Sequence, residues 1–176
     1  GLIANVRYNL NRELDRVRIF EIGRAFLRDA SVLGGDLDVA GVRQPMRIAA
    51  AAIGTADDEQ WGVAARNVDF FDISNDIEAL LAPAQARIVA APHPALHPGR
   101  SARVLLNGAE VGWLGELHPR LQRKYELPGP LVLFEMDAEP LLARGLPQYC
   151  EVSKFPPVRR DLAVTVDEKI PVQSIL

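Results

Sequence analysis

The chain has 176 residues, 48% of them hydrophobic and 24% charged, with a formal net charge of −3. That suits one globular domain, or one domain and part of another, and supplies no overall basic field for nucleic acid. The single cysteine, Cys150, excludes an internal disulfide and a multi-cysteine zinc site, and points to a reducing compartment.

The N-terminal GLIANVRYNLNRE has no basic start followed by an apolar stretch, so it does not read as a signal peptide. It also lacks an initiator methionine, and the expectation is a fragment that starts inside a structure. Leu2, Ile3, Val6, Leu10 and Leu14 recur at helical spacing and predict an amphipathic helix over 2–14. Residues 17–26 alternate as a strand, with Val17, Ile19 and Glu21 on one side. Residues 30–45 carry Gly34-Gly35 and Pro45 without periodicity and read as a loop. The apolar MRIAAAAIG, 46–54, predicts a strand buried on both faces; it is far short of the roughly 20 residues a membrane span needs. A helix over 72–81 is expected, capped by Ser74, Asn75 or Asp76, with Ile77, Leu80 and Leu81 as its stripe. Residues 86–91 again read as a strand.

Ser101–Leu106, Asn107-Gly108 and Glu110–Leu117 form the strongest short-range hairpin signal, because Asn-Gly suits a type I′ turn. Pro119 starts a helix carrying Leu121, Lys124 and Tyr125. Residues 131–137 return as a strand, and 139–146 form a short helix with proline in its first turn. Pro147, Pro156 and Pro157 mark 146–158 as a linker. Residues 161–168 alternate as a fresh strand, and a helix opens at Pro171. The organisation expected is α+β: an antiparallel sheet with flanking helices over 1–150, then the opening of a second domain over 151–176. That opening is too short to bury a core of its own.

All three histidines precede prolines, at His93, His97 and His118. His93 and His97 have the spacing of two zinc ligands on a helix, but Pro94 and Pro98 forbid a regular helix there. No metal site is expected. His97, Pro98, Gly99, Arg100, His118 and Pro119 are expected to be corners that aim the chain into and out of the hairpin, with Arg100 free to pair with Glu116. Ser101 has no base at readable spacing. Asp72, Asp76 and Glu78 suit a helix N-terminus. Lys154, Arg159 and Arg160, with an apolar Phe155 expected to bury, make a small basic-aromatic cluster for RNA or an interdomain contact. Pro156-Pro157 would stiffen that junction.

Six stretches resemble the bacterial-type phenylalanine–tRNA ligase beta subunit, in the family's order. They are RVRIFEIGRAF (16–26), VDFFDISNDIEALL (68–81), HPGRSARV (97–104), VGWLGELHP (111–119), LFEMDAEPLL (133–142) and SKFPPVRRDLAVTVDE (153–168). Ser74-Asn75 departs from the Lys-Gly more usual there. The resemblance implies a domain folded like a class II synthetase core, followed by the start of a ferredoxin-like anticodon-binding domain. It implies an (αβ)₂ tetramer in the cytoplasm, not at a membrane, that joins phenylalanine to its tRNA with ATP and magnesium, the chemistry falling to the alpha subunit. The nucleotide motif of catalytic class II cores, resembling G-x-G-x-E-R, falls here on Glu135-Met-Asp137-Ala-Glu139-Pro140. Carboxylates repel a polyphosphate and proline offers no donor. Arg18-Ile-Phe-Glu21 loosely echoes the F-R-x-E strand of the same fold. The expectation is a catalytically silent scaffold that binds no cofactor itself. The alternatives are an adenylate-binding core and an RNA-binding module.

Overall fold

The structure is a computed structural model that describes residues 1–143, 149, 151, 154–156, 158–170 and 175. It divides into two compact units, Gly1–Gly145 and Leu146–Leu176. The first contains α1 (Leu2–Leu10), β1 (Val17–Arg24), β2 (Leu27–Arg28), β3 (Val42–Arg43), β4 (Met46–Ile53) and α2 (Phe70–Leu81). It continues with β5 (Ala86–Ala90), β6 (Leu96–Leu106), β7 (Ala109–Leu117), α3 (Pro119–Lys124), β8 (Val132–Asp137) and α4 (Glu139–Leu142). Six strands form one sheet in the order β1-β4-β8-β7-β6-β5, every pairing antiparallel, and β2 with β3 makes a separate two-stranded ribbon. The α+β class expected from the sequence is the one observed.

Two cores sit on opposite faces of the sheet. On the back face α2 buries Ile73, Ile77 and Leu81 against Ile48, Ala52, Val104, Leu114, Phe134 and Met136. On the front face Val6 of α1 packs with Val17, Ala51, Ile53, Leu117 and Leu131, flanked by Leu121 and Tyr125. Strand β4 serves both cores, which is why it is apolar on consecutive positions instead of alternating. The hairpin forms at the expected place: Leu106 faces Ala109, and Asn107 and Gly108 take φ of 51° and 81°, as a type I′ turn requires. Gly54 joins β4 to the next loop at φ +92°, where an added Cβ would lie 1.9 Å from the Asp15 carbonyl oxygen. Only glycine fits there.

Several expectations change. Helix α1 ends at Leu10 instead of running to 14, because Arg12 and Glu13 donate to Asn9 and Leu10 three residues back, and Glu13 then takes φ +63°. The expected loop over 30–45 includes the short strand Val42–Arg43, whose partner Leu27–Arg28 is too distant in sequence to signal it. Helix α2 begins at Phe70, capped not by Ser74, Asn75 or Asp76 but by Asp69, whose carboxylate accepts from the Phe71 and Asp72 amides. Asp72 returns a bond to the Asp69 amide, closing a capping box in which aspartate takes the place of the usual glutamate.

In the second unit the expected strand over 161–168 is absent, and all these residues are exposed. A strand needs neighbours to satisfy its backbone, and none is present among the described residues of that unit. The helix expected from Pro171, the end of the one expected over 139–146, and Cys150 fall outside the described residues.

Two outcomes check this architecture. Asp69→Ala should destabilise the first unit by about 1 kcal/mol in urea unfolding, whereas Ser74→Ala should cost about 0.5 kcal/mol or less. Asp72 is held at about 2, chiefly by its hydrogen bonds from Arg66 and also by the Asp69 amide. An unfolded aspartate titrates near 3.9, so this stabilisation is complete above roughly pH 4 and is lost as pH falls towards about 2. Arg66→Met should flatten stability measured across that window.

Candidate functional site

The front face of the sheet carries the residues on which the nucleotide motif falls. Strand alternation brings Glu21 of β1, Arg47 and Ala49 of β4, and Glu135 of β8 into one cavity of about 480 Å³, walled by Leu2, Ile3, Leu133 and Tyr125. The register sets Arg47 opposite Asp137 and Ala49 opposite Glu135. Arg47 therefore spans both carboxylates: Nη1 donates to Glu135 Oε1 at 2.6 Å, and Nη2 lies 3.3 Å from Asp137 Oδ1. Its Nε is buried without a partner. Arg24, also at the cavity, donates to the Gln44 carbonyl oxygen.

This arrangement does not fit a triphosphate with magnesium. The arginine best placed to meet a phosphate already serves two carboxylates, and Glu21 adds a third negative group. Beyond Asp137, α4 is four residues long with proline in its first turn, and offers no substantial helix N-terminus for an anion. The echo of a nucleotide strand in Arg18 and Glu21 also separates. Arg18 reaches back to Asp76 of α2, whereas Glu21 faces the front cavity. Residues three apart on a strand point to opposite faces, so the two cannot meet one ligand.

The histidine-proline stretch resolves differently. His97, Pro98, Gly99 and Arg100 lie within β6 itself, at a register irregularity between Leu96 and Ser101. His118 and Pro119 sit at the corner from β7 into α3. All three imidazoles do the same thing: Nδ1 accepts the backbone N–H two residues on, across the intervening proline. The distances are 3.3 Å for His93 to Ala95, 3.1 Å for His97 to Gly99 and 3.1 Å for His118 to Arg120. For His118 this caps α3, with Pro119 at the first helical position. Nothing local signals this bond, because histidine is not among the usual capping residues. His93 also lies against Trp113, ring centroids 5.0 Å apart. Arg100 pairs with the buried Glu116 at 2.5 Å, and Gln122 reaches the other oxygen at 3.4 Å. Among the described residues no three His, Cys, Asp or Glu side chains converge to hold a metal.

Ser101 is spent structurally, its hydroxyl donating to the Ala91 carbonyl oxygen at 2.8 Å. In the second unit Lys154, Phe155, Arg159 and Arg160 are exposed. No helix among the described residues is long and apolar enough to cross a membrane.

An antiparallel α+β sheet with helices on both faces, whose front cavity holds an arginine shared by two carboxylates, defines the class of this first unit. Comparison with known sequences is specific. The family model for the phenylalanyl tRNA synthetase beta chain CLM domain matches residues 1–138, and the chain belongs to that family. It is 61% identical over 175 residues to the phenylalanine–tRNA ligase beta subunit of Burkholderia lata, covering 99% of this chain. The beta subunits of Ralstonia nicotianae and Bordetella parapertussis are 56% and 53% identical, each covering 100% of it. The chain spans 22% of the length of these relatives.

The imidazole caps yield a clear test. Asparagine places its oxygen near where Nδ1 of histidine lies, whereas glutamine places its amide further out. His118→Asn should retain most of the stability, while His118→Gln should lose about 1 kcal/mol in urea unfolding.

Proposed function

We propose that this chain is a scaffold and assembly module of a phenylalanine–tRNA ligase beta subunit, folded like a class II synthetase core and without its own active site. The observation that carries this reading is Arg47 bridging Glu135 and Asp137, where a nucleotide-binding core would present groups to phosphate. The whole enzyme, on this reading, is an (αβ)₂ assembly in the cytoplasm that joins phenylalanine to its tRNA, with ATP and magnesium handled by the alpha subunit. Residues 1–150 form the silent core, and 151–176 open a ferredoxin-like domain directed at the tRNA anticodon. Lys154, Arg159 and Arg160 then face RNA phosphate or a carboxylate at the junction, next to the stiff Pro156-Pro157 step. Their exposure leaves them accessible for that role.

The purified chain should show no phenylalanine-dependent exchange of pyrophosphate into ATP, and no saturable ATP binding at millimolar nucleotide. Exchange above a no-protein control would overturn the scaffold reading. In the assembled enzyme, removing the charges of Lys154, Arg159 and Arg160 together should weaken tRNA binding and flatten its salt dependence.

A further inference from the structure

The turn between β6 and β7 carries the one Asn-Gly step in the chain. The other asparagines, Asn5, Asn9, Asn11, Asn67 and Asn75, are each followed by a residue with a side chain, which shields the next backbone nitrogen. Gly108 offers no such shield. It is exposed, a Cβ added there would meet nothing within 4 Å, and its N–H has no hydrogen-bond partner among the described residues. The pairing that closes this turn is also short. The register shifts between Val104 and Leu105, so only Leu105–Glu110 and Leu106–Ala109 lie beyond the irregularity. Ala109 and Glu110 are exposed, and the 3.9 Å contact of Glu110 with Arg103 adds little. On the other side of the irregularity Ala102, Val104 and Leu114 are buried in the back core. The tip can therefore open while the rest of the hairpin stays paired.

We propose that Asn107 is a modification site, at which the chain converts its own asparagine to isoaspartate whenever the hairpin tip opens. A type I′ turn sets ψ of its first central residue at about +30°, which points the Gly108 nitrogen away from the Asn107 carboxamide. The closed turn resists the reaction and the open tip permits it. The Gly108 nitrogen then loses its proton to solvent and attacks Cγ of Asn107. The Cγ–Nδ2 bond breaks, and ammonia leaves after taking a proton from water. Water opens the five-membered imide at either carbonyl. Cleavage at the side-chain carbonyl gives aspartate, and cleavage at the main-chain carbonyl gives isoaspartate. The net change consumes one water and releases one ammonia. Isoaspartate routes the main chain through its side-chain methylene, which lengthens a turn that fits two ordinary residues, and it adds a negative charge to a tip that already carries Glu110. The tip then stays open, while the pairs from Ser101–Gly115 to Val104–Gly112 hold.

Peptide mapping of the 176-residue chain, aged in mildly alkaline buffer, tests this. Isoaspartate and aspartate should accumulate at residue 107 ahead of Asn5, Asn9, Asn11, Asn67 and Asn75. In denaturing urea the reaction at 107 should run about ten- to a hundredfold faster, as expected when a local opening gates it. Asn107→Gly, which suits the same turn, should abolish the product. The modified chain should lose hydrogen-exchange protection at Ala109 and keep it at Leu114. Equal rates at all six asparagines, or a native rate as fast as in urea, would overturn the proposal. So would a native rate slower on the order of ten-thousandfold or more, which would mean that only global unfolding exposes the site. Loss of protection at Leu114 on modification would overturn it too.

Discussion

Strand β4 has to satisfy two cores at once. Ile48 and Ala52 belong to the packing under α2, while Ala51 and Ile53 belong to the packing under α1, and its backbone is hydrogen-bonded on both edges. A strand in that position has no freedom to slip, since a shift of one residue would exchange the two faces throughout. Its register with β8 therefore fixes which side chains meet on the front face. Arg47 stands opposite Asp137 and one diagonal step from Glu135 because β4 is locked, not because either carboxylate attracts it strongly. The ion pairs are partly exposed, so they contribute modestly to stability. Their consequence is chemical: they occupy the cation of the cavity.

That distinction separates fold from function in this chain. On the scaffold reading, the sheet and both helical layers serve as a shape, and the charged groups of the front cavity serve one another. Ala49 and Ala51 keep the floor of the cavity bare. Around that floor the charges neutralise one another instead of facing outward. A core kept under these terms retains value as a shape that other chains can rest on, which is the role proposed for it.

Features set by neighbouring residues could be read in the sequence. Asn107-Gly108 dictates a turn by its own backbone preference, and Pro119 starts α3 for the same reason. Features set by distant partners could not. The ribbon between Leu27–Arg28 and Val42–Arg43 depends on a pairing across a long loop. The strand expected over 161–168 had the right alternation but no neighbour. The cap of α2 was misplaced because the Ser-Asn-Asp cluster lies inside the helix, while Asp69 closes its box with an unusual aspartate. At the site, the carboxylates of Glu135 and Asp137 were legible as obstacles to phosphate. Arg47 was not, since nothing local links it to residues on β8, almost a hundred positions away. The histidines lay between these cases: their prolines pointed to rigid corners, but the imidazole bonds that fasten those corners appear only in three dimensions.

The central claim is that Arg47 is committed to the β8 carboxylates and is not a free cation awaiting an anion. A double-mutant cycle with Arg47→Met and Glu135→Gln, followed by urea unfolding, measures this directly. A favourable coupling of about 0.5 kcal/mol is expected, in the range for partly exposed pairs, and it should shrink with added salt. A coupling indistinguishable from zero would mean that the arginine is not held by Glu135, and would contradict it.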